Sequence, residues 1–143
     1  VLELNSPGVF AVELFYNMDG SVWVNETACR VHNSGHSTIE AAYSSQFDQM
    51  LRCLIGLPLG STELFSTSAM VNLIGAEGEN GKAEIENQNE ILGIPGVYLH
   101  WYAKEETRPG RKMGHITLVD KDLDRLKSNI EKVNKTVKVI AKK

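Results

Sequence analysis

The sequence is poor in cysteine, has no excess of positive charge and contains no long apolar run. Its 143 residues include two cysteines, Cys29 and Cys53, without CxxC spacing. A disulfide framework or a structural zinc site is therefore not expected, and a reducing compartment fits. The net charge of −3 argues against nonspecific nucleic-acid binding. No apolar stretch is long enough to span a bilayer, and a hydrophobic content of 42% is typical of a globular protein.

A β-hairpin is predicted near the amino terminus. β-Rich apolar stretches at 9–17 and 22–28 flank Asp19-Gly20, and an Asp-Gly pair between two such stretches is a strong hairpin signal. Taken as a two-residue turn, Asp19-Gly20 makes Phe15 face Val24.

The same register places Glu13 opposite Glu26 on one face of the hairpin. Two carboxylates directly opposed on a largely apolar face repel each other. A divalent cation would remove the conflict, and Mg²⁺ takes carboxylate oxygens together with nucleotide phosphate oxygens. A solvent-facing edge hairpin, or a register slipped by one residue, is the alternative interpretation.

A polar loop follows the hairpin, Arg30-Val31-His32-Asn33-Ser34-Gly35-His36. If the strand continues, Arg30 and His32 share the face of Glu26. A guanidinium fork suits carboxylate, bicarbonate or phosphate. Asn33, Ser34 and the backbone around Gly35 can donate to an oxyanion.

Other interpretations of this loop remain open. His32 and His36 could bind zinc if they lay on a helix, although Asn-Ser-Gly between them breaks helices and no third ligand is evident. The polar groups could also satisfy one another. Ser34 lacks the Gly-x-Ser-x-Gly elbow of a nucleophile, and Cys29 has no base placed beside it.

Two helices and three further strands are predicted from periodicity. The first helix starts at a Ser37 or Thr38 cap and continues to Leu54, where Gly56 ends it. The second starts at an Asp120 cap and carries one apolar stripe, composed of Leu123, Leu126, Ile130, Val133, Val137 and Ile140. Strands are predicted at 69–74, 97–102 and 113–119, and loops at 75–90, with room for a short helix, and at 103–112.

The loop before the last predicted strand is basic. Its cations, Lys104, Arg108, Arg111 and Lys112, flank Pro109-Gly110. Such a cluster suits a monophosphate, which arginine binds in a bidentate manner. A solvated charged loop is the alternative, and the net charge speaks against a nucleic-acid patch.

Taken together, these motifs resemble one family over most of the chain, from about Val9 to Val119. They resemble the C-terminal part of 5-(carboxyamino)imidazole ribonucleotide synthetases, which are ATP-grasp ligases. The motifs are Glu13, Asn25-Glu26, the polar loop, Ser45-Gln46-Phe47, Leu51-Arg52, Leu57-Pro58-Leu59, Asn72-Leu73-Ile74-Gly75 and the basic loop.

The resemblance implies an activity and a set of cofactors. The family uses ATP, Mg²⁺ and bicarbonate to carboxylate the amino group of 5-aminoimidazole ribonucleotide through carboxyphosphate, in de novo purine biosynthesis. It implies that Glu13 and Glu26 hold the metal and that Asn25 and Glu26 belong to the nucleotide patch. Strict alternation would turn Asn25 to the other face, so a bulge or twist is needed there.

The resemblance also implies the substrate contacts. Arg30 and His32 would be catalytic, Asn33 and Ser34 would bind bicarbonate and carboxyphosphate, and the four cations of the basic loop, Lys104, Arg108, Arg111 and Lys112, would bind the ribonucleotide phosphate. Two positions depart from the family pattern: Cys29 replaces a proline and Ser37 replaces an aromatic residue, which puts fine substrate positioning in doubt.

The implied architecture is α+β. Residues 1–60 would form the C-terminal lobe of an ATP-grasp domain, an antiparallel sheet with helices, and residues 61–143 a small β-rich C-terminal domain closed by a helix. The N-terminal part of the enzyme would have to be supplied from elsewhere, so these residues alone are predicted to be inactive. A homodimer is expected, as is a cytoplasmic location, or an organelle if the parent carries a transit peptide. The alternatives are another ATP-grasp ligase and a noncatalytic module that binds an anion or a protein partner.

Overall fold

The computed structural model describes residue 3 and residues 5–142, which divide into two compact units, 1–65 and 66–143. The division into domains at 1–60 and 61–143 stays a prediction. The elements of the first unit are β1 (Ala11–Tyr16), β2 (Val22–Ala28), a 3-10 turn (Asn33–Gly35), α1 (Thr38–Ala41) and α2 (Gln46–Ile55).

β1 and β2 form the predicted antiparallel hairpin, but its turn is longer than predicted. The Asn17 N–H donates to the Ser21 carbonyl and the Gly20 N–H to the Asn17 carbonyl, each at 2.9 Å. Gly20 has φ 83°, a left-handed conformation that glycine adopts without a Cβ clash. The two-residue turn was therefore wrong, and Phe15 pairs with Trp23 rather than with Val24.

A second irregularity restores the register further along the hairpin. Leu14 pairs with Val24 whereas Glu13 pairs with Glu26, so Asn25 is an extra residue in β2. This is the bulge that the position of Asn25 required. The opposed glutamates were thus predicted correctly, although the turn used to derive them was not.

The helix predicted from Ser37 to Leu54 is interrupted. α1 is a single turn, and Ser37 makes no capping hydrogen bond. α2 has its own N-cap in Ser45, whose hydroxyl accepts from the Asp48 N–H at 3.2 Å. Gly56, in a left-handed conformation, ends α2 as predicted.

The second unit contains two three-stranded antiparallel sheets, in the orders β3-β7-β5 and β6-β4-β8. Its core lies where α4, α3 and β8 meet the first of these sheets, and it consists of Leu73, Ile91, Met113, Ile116, Leu118, Leu126, Val133 and Val139. The elements are β3 (Thr67–Ile74), β4 (Gly81–Glu86), α3 (Gln88–Leu92), β5 (Val97–Trp101), β6 (Glu106–Thr107), β7 (Lys112–Asp120), α4 (Leu123–Thr136) and β8 (Lys138–Ala141).

The three predicted strands correspond to β3, β5 and β7, while two predicted loops contain strands. The 75–90 loop includes β4, and the 103–112 loop includes the two-residue β6. The last helix also differs from the prediction, because Asp122 rather than Asp120 caps α4 and the helix ends at Thr136. Val137 and Ile140 therefore do not lie on it. The mixed α and β architecture with antiparallel sheets is as predicted.

Candidate functional site

The hairpin carboxylates lie together at one end of a cavity. Asn25, turned by the bulge, donates from Nδ2 to Glu13 Oε1 at 2.6 Å. This contact orients the Glu13 carboxylate while leaving its second oxygen for another partner. One ligand atom from each of Glu13, Glu26 and His32 lies within 4.8 Å of the others. Opposed carboxylates at this spacing fit Mg²⁺, a hard cation that prefers oxygen ligands.

The cavity joins the hairpin to the polar loop. It has a volume of about 250 Å³. It is lined by Ala11, Val12, Glu13, Leu14, Glu26, Ala28, His32 and Ser34. The predicted metal-binding pair therefore lines the same cavity as His32 and Ser34 of the polar loop. The cavity is large enough for a small anion beside a cation.

The hydrogen bonds of His32 favour a donor role over a metal-ligand role. Its Nδ1 accepts from the Ser34 N–H at 3.4 Å and lies 2.9 Å from the Ser34 hydroxyl. An accepting Nδ1 leaves the proton of a neutral imidazole on Nε2. His32 can therefore donate from Nε2 to an oxyanion. His32 and His36 lie at the two ends of a 3-10 turn and not on one face of an α-helix, which argues against the zinc interpretation.

The other predicted residues of this loop, Arg30 and Asn33, lie outside the cavity lining. β2 ends at Ala28, so Arg30 does not continue its face. Arg30 is exposed, donates from Nη1 to the Val31 carbonyl at 2.9 Å, and does not line the cavity. Asn33 is half-buried at the start of the 3-10 turn and does not line it either.

The basic loop is a tight turn closed on the end of β3. The Arg111 N–H donates to the Arg108 carbonyl at 3.0 Å across Pro109-Gly110, which confirms the predicted turn. Gly75 contacts this turn through both of its backbone polar groups. Its N–H donates to the Arg111 carbonyl, and its carbonyl accepts from the Gly110 N–H. A Cβ at Gly75 would overlap the Arg108 carbonyl.

The four cations project from this turn and its flanks. Arg108 and Lys112 are exposed and Arg111 is half-buried. Lys104 donates to the Lys112 carbonyl at 2.5 Å, and Arg111 Nη1 donates to the Glu106 carbonyl at 2.9 Å. Two of the four predicted cations, Lys104 and Arg111, are thus tied to backbone carbonyls of the loop.

An aromatic contact around the buried His115, not predicted from sequence, lies beside the basic loop. Tyr102 O–H lies 2.9 Å from Nδ1 of His115, and Lys104 Nζ lies 5.8 Å from the Tyr102 ring centroid. His115 stacks on His100 with ring centroids 4.4 Å apart. Burial raises the pKa of Tyr102, which keeps its hydroxyl protonated. The sequence places Tyr102 only in the predicted strand 97–102.

Comparison with known proteins gives the same two-part picture. The family model described as the phosphoribosylaminoimidazole carboxylase C-terminal domain matches residues 68–129, and the ATP-grasp domain model matches residues 1–47. The crystal structure of N5-carboxyaminoimidazole ribonucleotide synthetase from Thermotoga maritima superimposes with a TM-score of 0.92 at 48% identity, over 99% of this chain.

The chain belongs to the N5-carboxyaminoimidazole ribonucleotide synthetase family. This is a family of ATP-grasp ligases. Another relative is the chloroplastic phosphoribosylaminoimidazole carboxylase of Vigna aconitifolia, 46% identical over 91% of this chain. The synthase of Aspergillus clavatus, in a crystal structure with ADP and 5-aminoimidazole ribonucleotide, superimposes with a TM-score of 0.77 at 37% identity over 90% of this chain.

The synthetase relatives are much longer than this chain. It covers 24% of the Vigna protein, 40% of the Thermotoga chain and 34% of the Aspergillus chain. Within the part of the chain that the structure describes, no helix combines the length and apolar character that crossing a membrane requires.

Proposed function

We propose that this chain forms part of an ATP-dependent ligase that uses bicarbonate to carboxylate the amino group of 5-aminoimidazole ribonucleotide in de novo purine biosynthesis. The observation that carries the proposal is the shared cavity, in which the Glu13–Glu26 pair faces His32 and Ser34. The family membership and the Aspergillus structure with ADP and the ribonucleotide support it.

The proposed reaction has two steps. A bicarbonate oxygen attacks the γ-phosphorus of ATP, ADP leaves, and carboxyphosphate forms. The amino nitrogen of the ribonucleotide then attacks the carboxyl carbon, loses a proton and expels phosphate. Charge accumulates on oxygen atoms in both steps, so fixed donors accelerate them.

Each group of residues has one task in this scheme. Glu13 and Glu26 hold Mg²⁺, which supplies charge neutralisation for the ATP phosphates, and Asn25 fixes the Glu13 carboxylate. His32 donates from Nε2 to the bicarbonate or carboxyphosphate oxygens, and Ser34 lines the same space.

Two further residues of the polar loop complete this proposed pocket. Arg30 and Asn33 are its outer members, and they reach the anion only when ligand binding reorganises the loop. Arg30 would then offset the developing phosphoryl charge.

The basic loop is proposed to bind the phosphate of the ribonucleotide. Arg108, Arg111 and Lys112 supply the donors, with Lys104 beside them. Arginine gives this site directional, bidentate contacts. Binding energy from this remote group holds the reacting amine in place.

We further propose that the opposing nucleotide-binding lobe comes from polypeptide beyond these residues, as the length of the relatives suggests. The chain alone should then release no ADP. A homodimer and a cytoplasmic location are proposed as well, with an organelle as the other location because one relative is chloroplastic.

A chimera tests the proposal. The segment of the Thermotoga maritima synthetase that superimposes on this chain is replaced by this chain, and ADP release is measured with ATP, Mg²⁺ and bicarbonate, with and without the ribonucleotide. We expect release to require the ribonucleotide and to fall at least about 100-fold in Glu26→Gln, since a metal-held phosphoryl group loses its main charge partner. Glu63→Gln, an exposed carboxylate outside the cavity, is the matched control.

The other outcomes identify the alternatives. ADP release that ignores the ribonucleotide would indicate a different ATP-grasp ligase. A folded chimera that releases no ADP would indicate a noncatalytic, anion-binding module.

A further inference from the structure

One side chain outside the predicted site holds the polar loop in shape. Gln46, the first residue of α2, accepts at Oε1 from the His32 N–H at 2.8 Å. Its Nε2 donates to the His32 carbonyl at 2.9 Å and lies 2.9 Å from Nδ1 of His36. A single carboxamide thus contacts both ends of the 3-10 turn.

The hydrogen-bond pattern fixes the orientation of this amide. A backbone N–H can only donate, so the atom facing the His32 N–H must be the amide oxygen. The NH₂ group then faces the His32 carbonyl and His36 Nδ1. His36 must therefore accept at Nδ1 and carry its proton on Nε2 when neutral.

The loop is shaped to admit this side chain. A Cβ at Gly35 would overlap Gln46 Oε1, so Gln46 keeps its present position only beside a residue without a Cβ. The base of α2 adds further contacts: the Gln46 N–H donates to Thr38 Oγ1 at 3.0 Å, and Phe47 stacks on His36 with centroids 5.6 Å apart.

We propose that Gln46 is a positioning residue for the oxyanion pocket: its carboxamide fixes the backbone of His32 and the tautomer of His36, and so sets the direction in which His32 and Ser34 face the cavity. This proposal rests on the proposed function of the loop. Gln46 does not line the cavity, so it acts through the loop and not on the anion. Its effect depends on geometry, because a displacement of about 1 Å can cost roughly 100-fold in rate.

The same helix offers a matched control. Gln49 makes the same kind of paired contact to another backbone segment, donating to the Gly60 carbonyl at 2.7 Å and accepting from the Gly60 N–H at 3.1 Å. In Gln46→Glu and Gln49→Glu each side chain keeps its acceptor and loses its donors. Both variants therefore perturb the chain to a similar degree, but only one of them perturbs the loop.

The test is NMR of the full ¹⁵N-labelled chain titrated with inorganic phosphate and with bicarbonate. In the wild type we expect shifts at Asn33 and Ser34 and the Nε2-protonated form of His36. In Gln46→Glu we expect roughly tenfold weaker binding of both anions, faster exchange of the His32 amide and a mixture of His36 tautomers. Gln49→Glu should keep the wild-type loop signals and affinity.

The outcomes of this experiment test the positioning role of Gln46 and the proposed oxyanion pocket separately. Wild-type affinity, amide exchange and tautomer in Gln46→Glu would overturn the positioning role, and so would equal weakening in Gln49→Glu. If the wild type binds neither anion, the oxyanion pocket of the proposed function fails, while the His32 exchange and His36 tautomer still decide whether Gln46 fixes the loop. Should Gln46→Glu not fold, Gln46→Asn, which keeps the amide on a side chain one methylene shorter, is expected to give the same loss.

Discussion

A single extra residue, Asn25, changes what the hairpin can do. Without the bulge, alternation would place its amide on the face opposite Glu26. With the bulge, the amide donates to Glu13 and joins the carboxylate group. The need for an irregularity there was predictable from the sequence. Its exact partner was not, because the turn at Gly20 shifts the register by one residue and the bulge shifts it back.

At the residue scale, Arg111 gives a direct test of the basic loop. One guanidinium nitrogen donates to the Glu106 carbonyl, so its side chain is already oriented before a ligand binds. In the chimera, Arg111→Ala should raise the KM for 5-aminoimidazole ribonucleotide roughly 10- to 100-fold, the effect of losing one charge-assisted contact. The change in kcat should be small, because the phosphate is remote from the reacting amine.

The control for this variant is Lys121→Ala, which removes one exposed cation from the other end of β7. It should leave the KM unchanged. An unchanged KM in Arg111→Ala would show that the basic loop is only a solvated charged loop.

At the scale of elements, an ion pair joins the end of β7 to α4. Arg125 donates from Nε to Asp120 Oδ2 at 2.5 Å and from Nη2 to Oδ1 at 2.6 Å. Asp120 also accepts from the Asp122 N–H, next to the helix cap. The Arg125 guanidinium, together with that backbone N–H, lowers the pKa of Asp120 from 3.8 to about 2. Sequence reasoning chose Asp120 as the cap, whereas Asp122 caps the helix and Asp120 anchors it.

The lowered pKa predicts the pH dependence of this anchor. A carboxyl whose folded pKa lies below its unfolded pKa stabilises the protein fully above the unfolded value and loses this effect as the pH falls through the folded value. Asp120→Asn should therefore lower the Tm by a few degrees above pH 4. The difference from the wild type should fade as the pH approaches 2.

Thermal unfolding of the wild type and of Asp120→Asn, measured from pH 2 to 7, checks this pH dependence. Glu131→Gln, which breaks an exposed helix pair with Lys135 at 3.4 Å, should change the Tm little at any pH. A Tm difference for Asp120→Asn that is constant over this pH range would contradict the assignment.

The contact between β3 and the basic loop gives a third prediction. A methyl group at Gly75 would overlap the Arg108 carbonyl and Thr107 Oγ1, so Gly75→Ala must move the turn. In the chimera we expect a several-fold increase in the KM for the ribonucleotide and a lower Tm. Gly93→Ala, where an added Cβ meets nothing within 4 Å, is the control. A wild-type KM for Gly75→Ala would show that the turn position does not matter.

Local sequence signals predicted the strands that carry a strong β-rich apolar pattern and missed those that do not. β3, β5 and β7 are β-rich and were predicted. β4 was assigned to a loop because the segment around it is rich in Gly, Glu and Asn. It forms a strand between β6 and β8, and its partner residues in β8 lie more than 50 residues away. Val137 and Ile140 continue the helical spacing by coincidence. Val137 is the extended C-cap of α4, and Ile140 lies in β8, where β-branched side chains are favoured.

The candidate site was also predictable only in part from the sequence. Side chains with charge or metal-binding capacity were identifiable from type and spacing, and Glu13, Glu26, His32 and Ser34 do meet in one cavity. Gln46 and Gly75 were not identified as site residues. Their importance comes from contacts with backbone atoms of another segment, and no local pattern reports such contacts.

At the scale of the whole molecule, the two units differ in how much apolar surface they bury. Among the described residues, the main cluster of buried hydrophobic side chains lies in the second unit, whereas the buried hydrophobic residues of the first unit are Ala41 and Ala42. The hairpin of the first unit is largely exposed, with Tyr16 at 80% and Trp23 at 65% of full exposure. Exposed aromatic residues on a strand pair are typical of an interaction surface. Trp23 pairs with Phe15 and Tyr16 with Val22, so the two aromatic side chains lie on opposite faces of the hairpin. The proposed opposing lobe of the ligase would cover one of these faces.

The fate of oxygen from bicarbonate tests the central claim most directly. The chimera is supplied with ATP, Mg²⁺, 5-aminoimidazole ribonucleotide and ¹⁸O-labelled bicarbonate, and the released phosphate is analysed by mass spectrometry. Carboxyphosphate formation predicts that one ¹⁸O atom enters each phosphate and that both label transfer and ADP release stop in Glu26→Gln. Phosphate released without ¹⁸O while the ribonucleotide is consumed would contradict the account.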